Sequence, residues 1–599
     1  MENRIIAADV GSTTTKVTLF ERGDDGWRLV GKAVAPTTVE APELDVMIGL
    51  RNAVTKLERR TGRKLRDGAR LLVPLRGGEG TDAFVATSSA GGGLQMLVTG
   101  LVKTMTAESA HRAALGAGAV VSDILSLDDG RVLMERIDAI RKVRPDIVLI
   151  TGGTDGGNIS AVAGIAEYIA MANPEARFGK DFKIPVIYAG NADARGLVEQ
   201  GIMDTLELSV IDNVRASLET EELDPAREEI HRLFLEHVMM RAPGYKTLAS
   251  WAAGKVRPTP LAVGEALAYL AEFRGCDVLG VDIGGATTDV FSVISGQFYR
   301  TVSANLGMSY STANVLAEAN VESILRWLPW APDENAVRNW NFNKMIRPTT
   351  LPQTANDLIL EQAVAREALR LSLGHHRSLV RGLKGIQQKR GVGDIFNQSG
   401  TGATLVDLMT TELLVGSGGV LSYAPRRSQA ALMMIDAFQP LGVTELMVDS
   451  QFLLPHLGVL MDVDPEMVQE FLDKEALVPL GTVIAPSGLP VSSGHPIAQV
   501  ETEEGSFHIE PDEIRVVPLP PGNVAPVTVI PKRGFDVGNG PGKPVTVNVG
   551  GGVVGLILDG RGRPLSLPED DGRRIALLKR WAKAMDAYPD VSLTGEGDS

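Results

Sequence analysis

The chain has 599 residues, and at roughly 150 residues per domain this length predicts about four domains, or two large ones with insertions. Its formal net charge is −15, from 59 Lys and Arg against 74 Asp and Glu. A protein whose main work is binding nucleic acid or an anionic membrane needs a broad basic surface, so this balance argues against both partners. The single cysteine excludes an intrachain disulfide and a CxxC-type zinc site. Gly is in excess, at 65 residues, which indicates many tight backbone turns.

The sequence shows no targeting or membrane signal. It has no cationic stretch followed by an apolar run and a cleavage site at its start. No window reaches the roughly 18 consecutive apolar residues of a membrane-spanning helix. We therefore expect a cytoplasmic protein with neither nucleic acid nor membrane as a partner.

The first half of the chain alternates strands and helices. RIIAADV, KVTLFE and WRLVGKAVA predict three successive strands, and the apolar spacing from Ala41 to Arg60 predicts a helix. DIVLITGGTDGGN and IPVIYAGNAD are each typical of a buried strand that enters a loop, with a helix between them, as in a βαβ unit. The glycines around Asp155 in TGGTDGGN leave two interpretations open. They allow close approach of a phosphate or metal, or they form the tight exit of a buried strand.

The second half begins with another strand-rich block. VLGVDIGGATTDVFSV predicts a strand hairpin, helical sequence follows to about Arg390, and TELLVGSGGVLS predicts a strand that meets a Gly turn. After about Pro465, short strands separated by Gly and Pro turns predict a small β-rich domain, before a last helix and a polar tail.

An internal repeat carries most of the functional information. Placing residue n over residue n+273 aligns IIAADVGSTTTKVTLF with VLGVDIGGATTDVFSV without a gap. The matched pairs are Asp9 with Asp282, Gly11 with Gly284, Thr14 with Thr287, Thr15 with Thr288, and Lys16 with Asp289. One such hairpin occurs often by chance, whereas two collinear copies predict two similar lobes that each offer one loop to the same nucleotide.

Each copy has the chemistry of a phosphate-binding hairpin. A turn of Gly and small hydroxylated residues exposes successive backbone N–H groups and hydroxyls, which bond phosphate oxygens. The Asp that ends the first strand suits a hydrated Mg²⁺, because Mg²⁺ prefers one or two carboxylates and keeps its waters. The sequence contains no GxxxxGK[ST] motif, and a strand rather than a helix follows each turn, so neither copy is a Walker A loop.

The two hairpins resemble the two phosphate loops of the superfamily that contains sugar kinases, heat-shock 70 chaperones and actin. That superfamily has a third, Gly-rich loop near the adenosine, which VGSGGVLSYAP matches. Within it, SSAGGGLQM, AALGAGAVV, ITGGTDGGN, DIGGATTDV and ELMVDSQFLLPHLGVL are similar to the glutamate mutase L (MutL-type) accessory protein family. The resemblance covers most of the chain. It implies an α/β fold with two actin-like ATPase lobes of ribonuclease H type, an inserted α/β segment and a C-terminal β-rich domain.

The domains predicted with this fold are a first ATPase lobe at residues 1–125, an inserted α/β and helical segment at 126–274, a second ATPase lobe at 275–464, and the β-rich domain with its terminal helix and tail at 465–599.

The resemblance also implies ATP and Mg²⁺ as cofactors. Asp9 and Asp282 are the candidate catalytic residues, which would hold the Mg²⁺ shell through water or orient the attacking water. Lys16 would bind phosphate as a cation, with a salt bridge or a plain surface position as the alternative. The other cofactor-binding candidates are Gly11, Ser12, Thr13 and Thr14 in the first hairpin, Gly284, Gly285, Thr287 and Thr288 in the second, and Gly416, Ser417, Gly418 and Gly419 in the third loop.

Members of this family accompany adenosylcobalamin-dependent mutases and aminomutases. The resemblance therefore implies an ATP-hydrolysing accessory or reactivating, chaperone-like factor whose partners are mutase subunits, such as those of glutamate mutase. None of the eight histidines lies in a D-x-H-x-x-G pattern, so the chain is not expected to carry the cobalamin itself. Two alternatives stay open: a small-molecule kinase of the same superfamily, whose general base is not evident in the sequence, and an actin-like nucleotide-binding scaffold.

Overall fold

The structure is a computed structural model, and it describes residues 3–11, 14–39, 43–89, 94–175, 183–202, 205–238, 243–309, 311–331, 333–381, 404–489 and 494–589. The chain forms two units. Unit 1 comprises Met1–Ala266, Arg381–Ala403 and Leu454–Glu470, and unit 2 comprises Leu267–Val380, Thr404–Leu453 and Phe471–Ser599.

The first part of the chain supplies most of unit 1. Its elements are β1 (Arg4–Val10), β2 (Thr14–Gly23), β3 (Gly26–Pro36), α1 (Val46–Thr61), β4 (Arg66–Asp67), β5 (Arg70–Leu71), β6 (Ala83–Ser88), β7 (Gln95–Gly100), α2 (Thr106–Gly116), β8 (Val120–Ser126), α3 (Leu133–Val143), β9 (Ile147–Ile150), α4 (Ile159–Ala172), β10 (Pro185–Tyr188), α5 (Arg195–Ile202), β11 (Glu207–Val210), α6 (Asp224–Leu233), α7 (Tyr245–Trp251), β12 (Arg257–Pro258) and α8 (Thr259–Arg274).

The first sheet of unit 1 has the strand order β3-β2-β1-β6-β12. β1, β6 and β12 are parallel, and β2 is antiparallel to both of its neighbours. This is the mixed strand order of the ribonuclease H fold, and it places the β1–β2 turn at the same sheet edge as the carboxyl end of β6. Helix α1 covers one face. It starts at Val46 rather than near the predicted Ala41, because the Asp45 side chain caps it by accepting a hydrogen bond from the Met47 amide.

The second sheet of unit 1 has the order β11-β10-β9-β7-β8, and its pairings are all parallel. Helices connect consecutive strands, as the βαβ pattern predicts. The direction of winding reverses between β7 and β9, and ligands of open α/β sheets bind outside the carboxyl ends of strands at such a point.

The later part of the chain supplies most of unit 2. The elements after α8 are β13 (Val278–Ile283), β14 (Thr288–Ile294), β15 (Gln297–Ser303), α9 (Thr312–Ala319), α10 (Val321–Leu325), α11 (Glu334–Ile346), α12 (Ala355–Leu379), β16 (Leu413–Gly418), α13 (Gly419–Ser422), α14 (Arg427–Phe438), β17 (Gly442–Asp449), α15 (Leu454–Leu460), α16 (Pro465–Lys474), β18 (Leu477–Ala485), β19 (Ser487–Gly488), β20 (Ala498–Thr502), β21 (Gly505–Ile509), β22 (Ile514–Val517), β23 (Val524–Pro531), β24 (Phe535–Asp536), β25 (Val545–Gly550), β26 (Gly555–Asp559) and α17 (Asp571–Ala584). Of these, α15 and the first part of α16 belong to unit 1.

The main sheet of unit 2 repeats the first one. Its order is β15-β14-β13-β16-β17-β18-β26-β22, and the first five strands reproduce the order and directions of the first sheet. The predicted fold, with two ribonuclease H-like lobes, an inserted α/β segment and a β-rich C-terminal region, is confirmed. The sequence did not indicate that part of the C-terminal region, namely β18, β26 and β22, extends the second lobe's own sheet. The rest of that region includes an antiparallel sheet with the order β21-β20-β23-β25.

Across the described ranges, the model contains no helix with the length and apolar character that a membrane crossing requires.

Candidate functional site

The first hairpin turn is closed by backbone and side-chain hydrogen bonds. The Gly11 amide donates to the Thr14 carbonyl at 3.0 Å, and the Thr37 hydroxyl donates to the Gly11 carbonyl at 2.8 Å. A Cβ atom at Gly11 would lie 2.9 Å from the Thr14 carbonyl oxygen, so the turn requires glycine there. Ser12 and Thr13, predicted to contact phosphate, lie outside the described residues.

Asp9 is the second-last residue of β1, and its buried carboxylate has an extensive set of partners. Its Oδ1 accepts hydrogen bonds from the hydroxyls of Thr259 at 2.7 Å and Thr87 at 3.1 Å. Its Oδ2 lies 3.3 Å from Nζ of Lys16, which is directly opposite on β2. Burial by itself raises the pKa of this carboxyl, but Lys16 and the two hydroxyl donors outweigh it and hold the pKa below its ordinary value. Asp9 is therefore ionised at neutral pH.

Lys16 combines two of the features considered from the sequence, a salt bridge and exposure to solvent. It forms the ion pair with Asp9, and its side chain keeps a quarter of its surface exposed. An ammonium group in this place neutralises the buried carboxylate and is still reachable from solvent.

A histidine that the sequence reasoning passed over lies near this carboxylate. His456 is buried on α15, which packs against β1 and β6. Burial lowers the pKa of the imidazole to about 3, so the ring is neutral near pH 7. The charge of Asp9 raises the pKa of this imidazole, and the charge of Lys16 lowers it. Nδ1 of His456 has no hydrogen-bond partner among the residues that the structure describes.

The second hairpin repeats the turn of the first. The Gly284 amide donates to the Thr287 carbonyl at 2.9 Å, the counterpart of the bond between Gly11 and Thr14. Asp282 is the second-last residue of β13 and lies directly opposite Asp289. Asp289 is buried and paired with Arg300, whose Nε is 3.0 Å from its Oδ1. In the second hairpin, the position that aligns with Lys16 is therefore occupied by an acidic residue, Asp289, which is paired with Arg300.

The other second-hairpin candidates differ in how open they are. Gly285 and Thr287 are half-buried at the turn. Thr288 is fully buried in β14, where its hydroxyl donates to the Leu306 carbonyl, so a phosphate would compete with that bond. A Cβ at Gly285 would press on Ser309 at 3.3 Å.

The third candidate segment lies beside the second hairpin in the same unit. Gly416, Ser417 and Gly418 are buried and belong to strand β16, so the predicted loop starts later than the sequence suggested. β16 is parallel to β13, and Ser417 is the register partner of Asp282. Gly418 has φ +101°, and a Cβ there would lie 2.2 Å from the Ile283 carbonyl oxygen. Gly419 is exposed and starts the short helix α13.

Two aromatic rings stand beyond this segment. Tyr423 follows α13 and is two-thirds exposed, with its ring centroid 5.5 Å from that of Phe452. Aromatic faces of this kind stack on nucleobases. Tyr423 lies in the segment matched to the adenosine loop, but its pairing with Phe452 could not be predicted, because the two residues lie on different elements.

The structure thus brings the candidates together in two groups. Asp9, Gly11, Thr14 and Lys16 meet in unit 1, and the second hairpin meets Gly416–Gly419 in unit 2. Thr87 and Thr259, which hold Asp9, were missed because Thr259 lies 250 residues away in the chain. Within the described ranges, no group of three or more His, Cys, Asp or Glu is placed to hold a metal by direct ligands.

The glycine-rich loop around Asp155 forms hydrogen bonds with the two neighbouring loops. Asp155 Oδ1 accepts hydrogen bonds at 2.9 Å from both the Ala192 amide and the Asn213 side chain, which belong to the loops after β10 and β11. Asp193 returns a bond by accepting from the Gly156 amide at 3.0 Å. These contacts favour the interpretation of the loop as the braced exit of a buried strand.

Comparison with known proteins places the chain in a family. It matches the MutL protein family over residues 5–476. It is 29% identical over 497 residues to Protein MutL of Clostridium tetanomorphum, covering 78% of this chain and 97% of that protein.

Solved structures give a weaker likeness. The nucleotide-free acetone carboxylase structure has 12% identity and a TM-score of 0.32, covering 77% of this chain and 70% of that one. The nucleotide-free diol dehydratase-reactivating factor has 10% identity and a TM-score of 0.28, covering 77% of this chain and 99% of that one. The family match, by contrast, extends over most of the sequence, and the chain belongs to the MutL protein family.

Proposed function

We propose that this protein is an ATP-binding and slowly hydrolysing accessory factor that reactivates an adenosylcobalamin-dependent mutase or aminomutase, such as glutamate mutase. The observation that carries the proposal is the repeated hairpin. Two turns 273 residues apart have the same Gly amide to Thr carbonyl bond and follow strands whose second-last residue is Asp. Membership of the MutL family supports the choice of an accessory role over other activities of the superfamily.

The residues present suit a nucleotide with Mg²⁺. Glycines at positions 11, 284 and 418 let the backbone pack tightly, because a Cβ atom there would lie 2.2 to 3.1 Å from a carbonyl oxygen, and tight turns of this kind expose successive N–H groups to an anion. Asp9 in unit 1 and Asp282 in unit 2 are each a carboxylate that would suit a hydrated Mg²⁺, which prefers one or two carboxylates and keeps its waters. When bound, Mg²⁺ would neutralise phosphate charge.

The chain's own residues would then act mainly by positioning. Gly11 would close the turn through its bond to the Thr14 carbonyl, so that Ser12, Thr13 and Thr14 would donate to phosphate oxygens, and the Lys16 ammonium would add a positive charge beside them. In unit 2, Gly284 would close the turn in the same way, and Gly285 and Thr287 would donate. Thr259 and Thr87 keep Asp9 ionised and fixed in one orientation, which suits it to align a metal-bound or attacking water. Gly419 and Tyr423 would face the adenosine.

The test is recovery of an inactivated mutase in the presence of ATP, ADP or no nucleotide. We expect recovery with ATP only, and equal recovery in all three conditions would refute the proposal. Asp9→Asn and Lys16→Met should each lower ATP hydrolysis by about 100-fold or more, as removal of a group that positions or neutralises developing charge does. Asp25→Asn, an exposed acid at the other end of the β2–β3 hairpin, is the matched control and should change nothing. Hydrolysis that requires an added small-molecule acceptor would favour the kinase instead.

A further inference from the structure

The C-terminal part of helix α11 in unit 2 exposes apolar side chains and buries polar ones. Its buried side chains include Asn341 and Lys344, whereas Phe342, Met345 and Ile346 are 46%, 37% and 72% exposed. These three apolar residues have i, i+3, i+4 spacing and so form one face of the helix. A surface helix normally turns such a face towards the core.

Hydrogen bonds stabilise only part of this arrangement, because one of the two buried polar side chains has partners and the other has none in the described ranges. Lys344 is buried and donates to Glu361 at 2.9 Å and to the Thr350 carbonyl. Asn341 is fully buried, yet neither atom of its side-chain amide has a partner in the described part of the chain. Because a buried unpaired amide is unfavourable, the exposure of the apolar face does not follow from optimal packing of the helix. Contiguous exposed apolar residues of this kind mark protein interaction sites.

The charge around this face indicates what binds it. No Asp or Glu occurs from Phe342 to Gln353, and Arg347 is exposed without an ion pair among the described residues. A second copy of this chain is a poor fit because each copy carries −15. An anionic membrane is also a poor fit, since such surfaces attract clusters of several basic residues rather than one. An apolar protein surface that carries a carboxylate opposite Arg347 fits both features.

The same helix is connected to the second hairpin. The Ser309 amide donates to the Gly285 carbonyl at 2.8 Å, and its hydroxyl donates to the Pro348 carbonyl at 3.0 Å, two residues beyond α11. Ser311 adds a bond from its hydroxyl to the Ala286 carbonyl at 2.8 Å. Ser309 is therefore bonded both to the turn 284–287 and to the segment that follows α11.

We propose that the face formed by Phe342, Met345 and Ile346, with Arg347 at its edge, docks an apolar, carboxylate-bearing surface of the partner protein, and that the second hairpin tunes this docking through Ser309. Under the proposed function, on which this inference rests, the partner is a subunit of the mutase. Coupling of this kind is reciprocal, so the partner must change nucleotide affinity by the same factor.

The first experiment measures binding of the full-length protein to purified glutamate mutase holoenzyme by calorimetry. The double variant Phe342→Ser with Ile346→Ser should bind at least about 30-fold more weakly, as expected for loss of central anchors. Arg347→Glu should also weaken binding, and Arg347→Lys should restore most of it. Leu489→Ser, which removes an 83% exposed side chain elsewhere, is the matched control and should bind like the parent protein. Circular dichroism and the unfolding midpoint check that each variant is folded.

The outcomes separate the two proposals. If the parent protein reactivates glutamate mutase in the recovery assay but does not bind its holoenzyme, the docking surface is refuted. If it does neither, both assays are repeated with other adenosylcobalamin-dependent mutases and aminomutases, and the proposed function is refuted when none is reactivated. If the parent binds and the double variant binds equally well, only the docking surface is wrong.

The second experiment tests the connection. The affinity of the parent for the holoenzyme should differ between ATP and ADP by about 5-fold or more, and Ser309→Ala should bring the two affinities together. A nucleotide effect that persists in Ser309→Ala would refute transmission through this residue, even where docking is confirmed.

Discussion

The hydrogen bond between Thr259 and Asp9 gives the sharpest test of the first hairpin. Thr259 begins α8, and its hydroxyl lies 2.7 Å from Oδ1 of the buried Asp9 carboxylate. Thr259→Val keeps the shape of the side chain and removes the donor, whereas Thr259→Ser keeps the donor. Thr87 stays as a second donor to the same oxygen at 3.1 Å.

The magnitude follows from the charge of the acceptor. A hydrogen bond to a charged group contributes about 1.5–3 kcal/mol to stability, so Thr259→Val should lower the free energy of unfolding by that amount at pH 7. The pKa of Asp9 should rise towards its ordinary value. Since the folded pKa of Asp9 lies below its unfolded value near 3.9, its contribution is fully present above that pH and is lost as the pH falls through the folded pKa. The difference between the Val variant and the parent should therefore stay constant from about pH 5 to pH 8 and shrink only in stronger acid.

Hydrogen exchange of the β1 and β6 amides, measured by mass spectrometry, reports the loss of stability around Asp9. Urea unfolding reports the loss in the free energy of unfolding of the whole protein. Thr259→Ser should cost less than half as much as Thr259→Val. Equal losses in the two variants would show that packing of the methyl group, not the hydroxyl, supports Asp9, and the reasoning would be refuted.

Three other predictions concern groups outside the hairpins. Arg561→Met should lower the free energy of unfolding by about 3–5 kcal/mol, because Arg561 pairs with Asp436 at 2.7 Å and with Asp559 at 2.9 Å and both acids are buried; a loss below about 1 kcal/mol in urea unfolding would contradict this. Asp155→Ala should speed hydrogen exchange in the loop after β9 and leave ATP affinity, measured by calorimetry, unchanged; weaker ATP binding would instead give that loop a ligand. His376 is buried, and burial lowers its pKa to about 3. Its unfolded form takes up a proton below about pH 6.5, so it makes the folded state less stable as the pH falls, and His376→Gln should reduce the loss between pH 6.5 and 5 by about 2 kcal/mol; an unchanged slope in urea titrations would be the contrary result.

The features of this fold that could be predicted are those determined by residues close together in the sequence. The gapless alignment predicted two similar hairpins, because each is formed by a short run of residues between two strands. The arrangement of the remaining strands came only from the resemblance to the superfamily, although a hairpin followed by parallel strands leaves few alternatives. Helix α1 starts at Val46, later than predicted, because the Asp45 side chain caps it, and apolar periodicity does not reveal such a cap.

What could not be predicted depends on long-range contacts. Thr259 reaches Asp9 from a helix that starts 250 residues later, and no spacing rule connects them. The buried strand ending at Gly418 looked like a loop because glycines are rare in strand interiors. In the structure its glycines are required by close neighbours, such as the Ile283 carbonyl next to Gly418.

The asymmetry of the repeat shows how far a local pattern reaches. Where Lys16 faces Asp9 in the first hairpin, Asp289 faces Asp282 in the second, and two carboxylates directly opposite on paired strands repel each other. The compensating cation is Arg300, which comes from the next strand and is almost completely buried with Asp289. The first hairpin therefore keeps an ammonium that is a quarter exposed beside its strand-end acid, whereas the cation of the second is sealed in an internal pair. If phosphate binds both turns, only the first has a hairpin lysine to meet it, and the second would offer backbone amides and the Thr287 hydroxyl instead.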